Sequence, residues 1–221
     1  MIKNSMYKEQ TNMMTNPNIP FSRNWSLHLM IFVFAVYWGF MAISPSDRML
    51  WLMESLLPVG VELVLVFTYK VFRFSNFSYL LIFIFLCSHT YAAHYTYQGT
   101  PFDMWLKASF HTQRSYYDRV VHFAFGLFCA YPVRELLTRA AAQRGFWSYA
   151  IPAAVVLSWS ACFEILEMGA SFVAGQKGGE YIGLQGDVLD TQKDMGLGLA
   201  GTVISMGMLA WILWRKEVKK R

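Results

Sequence analysis

Six long apolar runs decide what this chain can fold into. They cover roughly residues 25–43, 50–69, 74–94, 117–136, 147–170 and 194–214. One helical crossing of a bilayer needs about 20 consecutive, mostly apolar residues, and each run approaches or exceeds that length. Inside hydrocarbon, every main-chain N–H and C=O has to be satisfied within the protein, so isolated runs of this kind resolve as helices. The reading is therefore all-α: a polytopic membrane bundle of about six transmembrane helices. Composition agrees, because 55% of the 221 residues are hydrophobic and 15% are charged, against about 25% charged in soluble domains.

The runs divide the chain into a polar tail (1–24), a transmembrane domain (25–214) and a short basic tail (215–221). The first run is too long for a signal-peptide core and no small-residue cleavage site follows it, so it is expected to be retained. The formal net charge of +5 is concentrated at the two ends and in short loops. No basic stripe with interleaved aromatics lies outside the runs, which argues against nucleic acid as a partner. Cys87, Cys129 and Cys162 all sit inside apolar runs without metal-ligand spacing, and read as packing residues.

Lys and Arg orient the bundle. With the N-terminus in the cytoplasm, only Arg48, Lys107, Arg114, Arg119, Lys177 and Lys193 of the 19 basic residues fall outside, and the rest fall inside. Cytoplasmic loops carry this excess. Six crossings then place both termini in the cytoplasm. Trp25, Trp51, Trp147, Trp211 and Trp214 fall near span ends, as an interfacial aromatic belt requires. Two external loops are long, about 95–116 and 171–193, and long loops are where function concentrates.

Placed on this topology, the ionisable residues converge. His89 and His94 lie at the outer end of the third run. Asp118 and His122 lie at the outer end of the fourth, four residues apart and so on one helix face. Glu164 and Glu167, three apart, share a face in the outer third of the fifth. Asp187, Asp190 and Asp194 lie on one side of the sixth if that helix begins early. The acids and histidines played no part in setting the topology, yet four spans bring them to the same side. Ionisable groups within a span cost about 2.5–3.5 kcal/mol each on insertion scales, so a chain that keeps several there is expected to use them.

Other polar residues read differently. His94, His111 and Asp103 suit the headgroup layer, and His28 an interfacial position. Gly175, Gly178, Gly179, Gly183 and Gly186 punctuate the second external loop, while Gly196, Gly198 and Gly201 open the last run and permit close helix packing. Neither set matches a phosphate-cradling fingerprint. Glu54 and Glu62 in the second run stand apart, Glu62 beside Pro58 and Gly60, which invite a kink.

These residues carry a resemblance. Tyr117 to Phe123, Arg134-Glu135, Glu164 to Glu167 and the block Gln185 to Met195 resemble the bacterial YjdF family of inner-membrane proteins, over roughly residues 25–214. The resemblance implies a multi-pass protein of the bacterial inner membrane and assigns no activity. A more distant likeness is to VanZ-like membrane proteins, whose Asp-basic-x-x-His-Phe motif is similar to Asp118-Arg119-x-x-His122-Phe123. Where those proteins carry Glu-x-x-Gln and Asp-x-x-Asp-x-x-x-Asn, this chain has Glu164-x-x-Glu167 and Asp187-x-x-Asp190-x-x-x-Asp194. Both departures put an acid in place of an amide, which favours a cation or a shared proton.

Two functional readings remain open on the sequence. In one, the chain is a membrane-embedded enzyme acting on a lipid or lipid-linked substrate at the outer face. Asp187, Asp190 and Asp194 would hold a divalent metal ion through hard oxygen ligands. His122 would act as base, oriented by Asp118, with Glu164 and Glu167 beside it, and Arg119 would hold an anionic headgroup. Without metal, clustered carboxylates can still share protons. In the other reading, the same acids form the site of a small transporter or of a cation- or solute-binding membrane protein, and Glu62 belongs to its path.

Overall fold

The computed structural model describes residues 14–112, 114–174 and 187–219. Glycines 175, 178, 179, 183 and 186 and the ends of both tails lie outside the described residues.

Among the described residues the chain is helical, with no strand. The helices are α1 (Trp25–Met41), α2 (Arg48–Glu54), α3 (Leu56–Thr68), α4 (Asn76–His94), α5 (Pro101–Phe110), α6 (Tyr117–Ala140), α7 (Trp147–Ala174) and α8 (Asp190–Val218). Five segments are long and apolar enough to cross a membrane: Arg48–Thr68, which is α2 with α3, then α4, α6, the Trp147–Gly169 part of α7, and α8. The shorter apolar helix α1 has 17 residues and rises about 25 Å, at the lower end of the length that one crossing needs. Phe32, Phe40, Leu63, Phe67, Leu166 and Trp211 face outward around the bundle, as a hydrocarbon solvent allows.

The passes alternate in direction. At one end Asn24 and Asn76 exchange side-chain hydrogen bonds of 2.7 and 2.9 Å, tying the start of α1 to the start of α4. At the other end the Met41 carbonyl accepts from His94 Nδ1 at 2.8 Å and the Ser46 N–H donates to the His94 carbonyl at 3.0 Å. Phe34, Phe85, Leu86, Ala92 and Val121 form the core between α1, α4 and α6.

The tightest crossing joins α6 to α8. A Cβ on Gly126 would lie 1.8 Å from the Gly198 carbonyl oxygen, and one on Gly201 would lie 2.3 Å from that of Phe123. Side-chain-free positions let the two backbones touch, and the Thr202 hydroxyl spans them, 3.0 Å from Gly198 O and 3.3 Å from Gly126 O. Gly196 differs: nothing lies within 4 Å of a Cβ there. This crossing fixes the start of α8 beside the start of α6, and that sets the site.

The structure adds local detail to the sequence reading. The second span breaks at Ser55 into α2 and α3. Pro58 has no N–H for the carbonyl four residues back, that of Glu54, so the ladder cannot run through. The loop over 95–116 contains a helix, α5, capped by Thr100 with Pro101 at its first position and Asp103 in its first turn. Asp103, expected at the headgroup layer, has no exposed surface: its carboxylate accepts from the Thr100 hydroxyl at 2.8 Å and from the Tyr116 N–H at 2.5 Å. The last helix begins at Asp190 rather than Asp194.

Candidate site at the acidic end of the bundle

The last residue of α2, the starts of α6 and α8 and the far ends of α4 and α7 meet at one end, and each contributes ionisable side chains. His122 sits in the middle. Its Nε2 lies 3.5 Å from Asp118 Oδ1, one turn earlier on α6, and 3.4 Å from Glu164 Oε1 on α7. The ring is held edge-on to Phe163, centroids 5.9 Å apart. His122 and Glu164 are buried, so the imidazole stands between two carboxylates away from bulk water. Glu164 also meets Thr191 of α8. Glu167, the next residue on the same face of α7, feels the charges of Asp118, Glu164, Glu54 and Asp194.

Asp187, Asp190 and Asp194 are organised by guanidinium groups. Arg114 pairs with Asp187 at 3.0 Å and with Asp190 at closer range. Arg119 pairs with Asp187 at 2.7 Å and Asp190 at 3.3 Å, and its Nε approaches Asp194 to 4.0 Å. Lys193 Nζ adds a 2.7 Å contact to Asp187. That hydrogen bond from Lys193 leads the interactions that hold the Asp187 carboxyl down to about 2. These are the three aspartates for which the sequence suggests a metal-ligand role. Among the described residues no three His, Cys, Asp or Glu side chains gather as a metal-ligand set, and the oxygens of Asp187 and Asp190 already face cations. A metal ion there would share its ligands with two guanidiniums. Arg119, expected to reach for a headgroup, is likewise engaged with Asp187 and Asp190 and rests against the Tyr116 ring, 5.5 Å from its centroid.

A second layer of the site lies behind the first. His89 is buried on α4, with Nε2 3.0 Å from the main-chain oxygen of Glu54 and 3.7 Å from its carboxylate. That oxygen is the one Pro58 leaves without a helical donor. A carbonyl only accepts, so Nε2 carries the proton and Nδ1 is the bare nitrogen. In the neutral ring the Tyr97 hydroxyl, 2.6 Å from Nδ1, donates to it, and the phenol oxygen also meets the Glu54 carboxyl. Tyr97 also lies within the fields of Glu54, Asp118 and Glu167; burial first, and then these charges, hold its phenol well above the usual range. Two consecutive non-glycine residues, Thr96 at φ 58° and Tyr97 at φ 59°, adopt the left-handed conformation to place this ring. Each costs on the order of 1–3 kcal/mol, and such strain collects at functional sites.

The structure thus brings Asp118, His122, Glu164, Glu167, Asp190 and Asp194 to one place, with Asp187 in the turn before α8. It joins His89, already placed at this end by the sequence, and adds Glu54, Tyr97 and Arg114. Arg114 and Tyr97 lie between helices, where no periodic pattern marks them. Glu54 and His89 could have been paired from the orphaned carbonyl that Pro58 creates. Glu62 does not join them: it is exposed on α3 and makes no hydrogen bond or ion pair among the described residues. His94 is occupied by its bond to Met41.

A family model described as predicted membrane protein, DUF2238, matches residues 26–215. The inner membrane protein YjdF of Escherichia coli (strain K12) is 32% identical over 169 residues, covering 76% of this chain and 81% of that protein. No solved structure matches.

Proposed function

The chain belongs to the DUF2238 family of membrane proteins, and from that premise we propose that it is an acid–base enzyme of the bacterial inner membrane, acting on a lipid or lipid-linked substrate at the outer face. The basic residues support the orientation, since among the described residues Arg23, Lys70, Arg73, Arg134, Arg139 and Arg144 and the basic end of α8 belong to the side opposite the acids. The Escherichia coli relative is named as an inner membrane protein, which supports the compartment.

One observation carries the chemical reading: His122 Nε2 stands 3.5 Å from Asp118 and 3.4 Å from Glu164 within a ring of further acids. An imidazole takes or returns a proton near neutral pH. Its position between two carboxylates lets it exchange that proton with either while they stabilise the imidazolium. Asp118, on the same helix, orients the ring. Glu164 and Glu167 bring carboxylates from the opposite side. Seven carboxylates, Glu54, Asp118, Glu164, Glu167, Asp187, Asp190 and Asp194, meet three fixed cations, Arg114, Arg119 and Lys193. Like charges at such range share protons, so the site supplies both an acid and a base without an ion. Arg114 and Arg119 act as positioning residues that clamp the start of α8 against α6.

The same acids would serve a small transporter or a cation-binding protein. That alternative drew on Glu62 for a path through the bilayer, and Glu62 stands apart from the cluster.

The test compares membrane lipids, by untargeted mass spectrometry, from cells expressing wild-type protein or His122→Asn at equal abundance. A lipid species that changes with the wild type and not with the variant is the expected result. Indistinguishable profiles at equal abundance would remove the enzyme reading.

A further inference from the structure

The end of the bundle opposite the acids holds a second polar site. A cleft of about 190 Å³ opens there between the end of α6, the start of α4 and the segment near Thr15 and Pro17; Tyr131, Arg134, Glu135 and Arg139 line it. The Glu135 carboxylate is fully used. It accepts from the Ser75 N–H at 2.9 Å and the Ser75 hydroxyl at 2.8 Å, from the Ser78 hydroxyl, and from Arg139 at 2.5 Å. It therefore caps the start of α4, whose first N–H groups have no helical acceptor. Arg139 is used as well, by Glu135 and by the Arg73 carbonyl at 2.6 Å.

Arg134 is different. Its guanidinium lies over the Tyr149 ring at 4.5 Å, and its one hydrogen bond among the described residues is a long contact of 3.4 Å to Ser148 Oγ. Its Nε is buried without an acceptor. No carboxylate among the described residues pairs with it. A partly buried guanidinium with unmade donors, on the wall of a polar cleft, lacks its anion, because buried N–H groups are seldom left unmade. The cleft's own acid cannot supply one, since Glu135 is committed.

We propose that this cleft binds a phosphate group through Arg134, carried by the headgroup of an anionic lipid or free in solution. The guanidinium fork matches two phosphate oxygens, and a ring stacked behind it holds the fork in one plane. The location suits the ligand. Arg73, Arg144 and Arg215 lie at the same end of the bundle, and basic pockets between helices at a membrane surface collect anionic headgroups. The volume accommodates a headgroup fragment and is too small for a drug-sized molecule.

Native mass spectrometry of the full chain, released from micelles with added phosphatidylglycerol, phosphatidylcholine or inorganic phosphate, tests this. The wild type should retain phosphatidylglycerol over phosphatidylcholine. Arg134→Gln should weaken that retention about tenfold, while Arg215→Gln, which removes a charge at the same end outside the cleft, should not. Inorganic phosphate bound by the wild type and lost in Arg134→Gln, without lipid selectivity, would identify the free ion as the source. Should Arg134→Gln fail to fold, Arg134→Lys, which keeps the charge and loses the fork, should show the same weakening. Equal retention by wild type and the Arg134 variant, or a loss in Arg215→Gln as large as in Arg134→Gln, would overturn the proposal.

Discussion

His89 donates its Nε2 proton to the main-chain carbonyl of Glu54, 3.0 Å away, on a different helix. The bond exists because Pro58, four residues after Glu54, has no N–H to offer that carbonyl. One missing donor thus breaks the second span at Ser55, ties α2 to α4 and fixes the tautomer of a buried histidine. Pro58→Ala would restore the helical donor and set it in competition with His89. The carbonyl can accept two bonds, but straightening α2 and α3 into one helix would carry it away from His89; leaving the imidazole N–H unmade costs about 1–3 kcal/mol, so the variant should unfold at lower denaturant despite alanine's better helix propensity. Equal or greater stability would show that the carbonyl was not reserved for His89.

Tyr97→Phe tests the next link. Phenylalanine keeps the ring and the strained backbone but removes the donor to His89 Nδ1, leaving a buried acceptor unpaired. A loss of about 1–3 kcal/mol in denaturant unfolding is expected. Because burial holds the Tyr97 phenol well above its usual range, wild-type protein should keep this bond in alkali where exposed tyrosines ionise, as followed by ultraviolet difference absorbance.

The glycine crossing gives a prediction with an internal control. Gly126→Ala puts a Cβ 1.8 Å from the Gly198 oxygen, whereas Gly196→Ala meets nothing within 4 Å. Backbones cannot yield as flexible side chains do, so Gly126→Ala should cost about 1–3 kcal/mol or more. Gly196→Ala should be neutral or slightly stabilising. Equal effects would mean that α6 and α8 do not pack this closely.

Asp187 predicts a pH dependence. Its folded carboxyl is held down to about 2, against about 3.9 for an unperturbed aspartate. A depressed folded value stabilises above the unfolded value and is lost as pH falls through the folded one. The clamp of Arg114, Arg119 and Lys193 on Asp187 should therefore survive acidification from pH 7 to about 4, and its contribution should fade between about 4 and 2. Melting curves of wild type and Asp187→Asn should run parallel across the upper range and converge only in the lower. Convergence already near pH 6 would contradict the assignment.

Much of this was legible in the sequence, and the reasons are physical. Apolar run length reported the passes, because hydrocarbon leaves a backbone few options. Helical spacing reported that Asp118 faces His122, since four residues make one turn. The partners of Asp187 and Asp190 were not legible. Arg114 and Asp187 lie outside the helices and are 73 positions apart in sequence, so no local period relates them. Hard-oxygen chemistry suggests a metal ion for the three aspartates, and nothing in the local pattern announces that Arg114 and Arg119 pair with two of them. The helix over 95–116 was legible in principle, from Thr100-Pro101-x-Asp103 as a capping pattern, but its short length hid it behind the hydropathy. Tyr97 is reached only through the left-handed turn at Thr96, a conformation that sequence does not announce for threonine and tyrosine.

On the proposed function, the groups around His122 form one acid–base site for a membrane lipid. The most direct measurement places purified protein in nanodiscs with a total bacterial lipid extract and follows conversion by mass spectrometry. Wild type is compared with His122→Asn, Glu164→Gln and Glu62→Gln. The account predicts conversion by wild type and Glu62→Gln, and its loss in His122→Asn and Glu164→Gln, with all four proteins folded. Conversion that survives His122→Asn, or no conversion by any of the four, would contradict it.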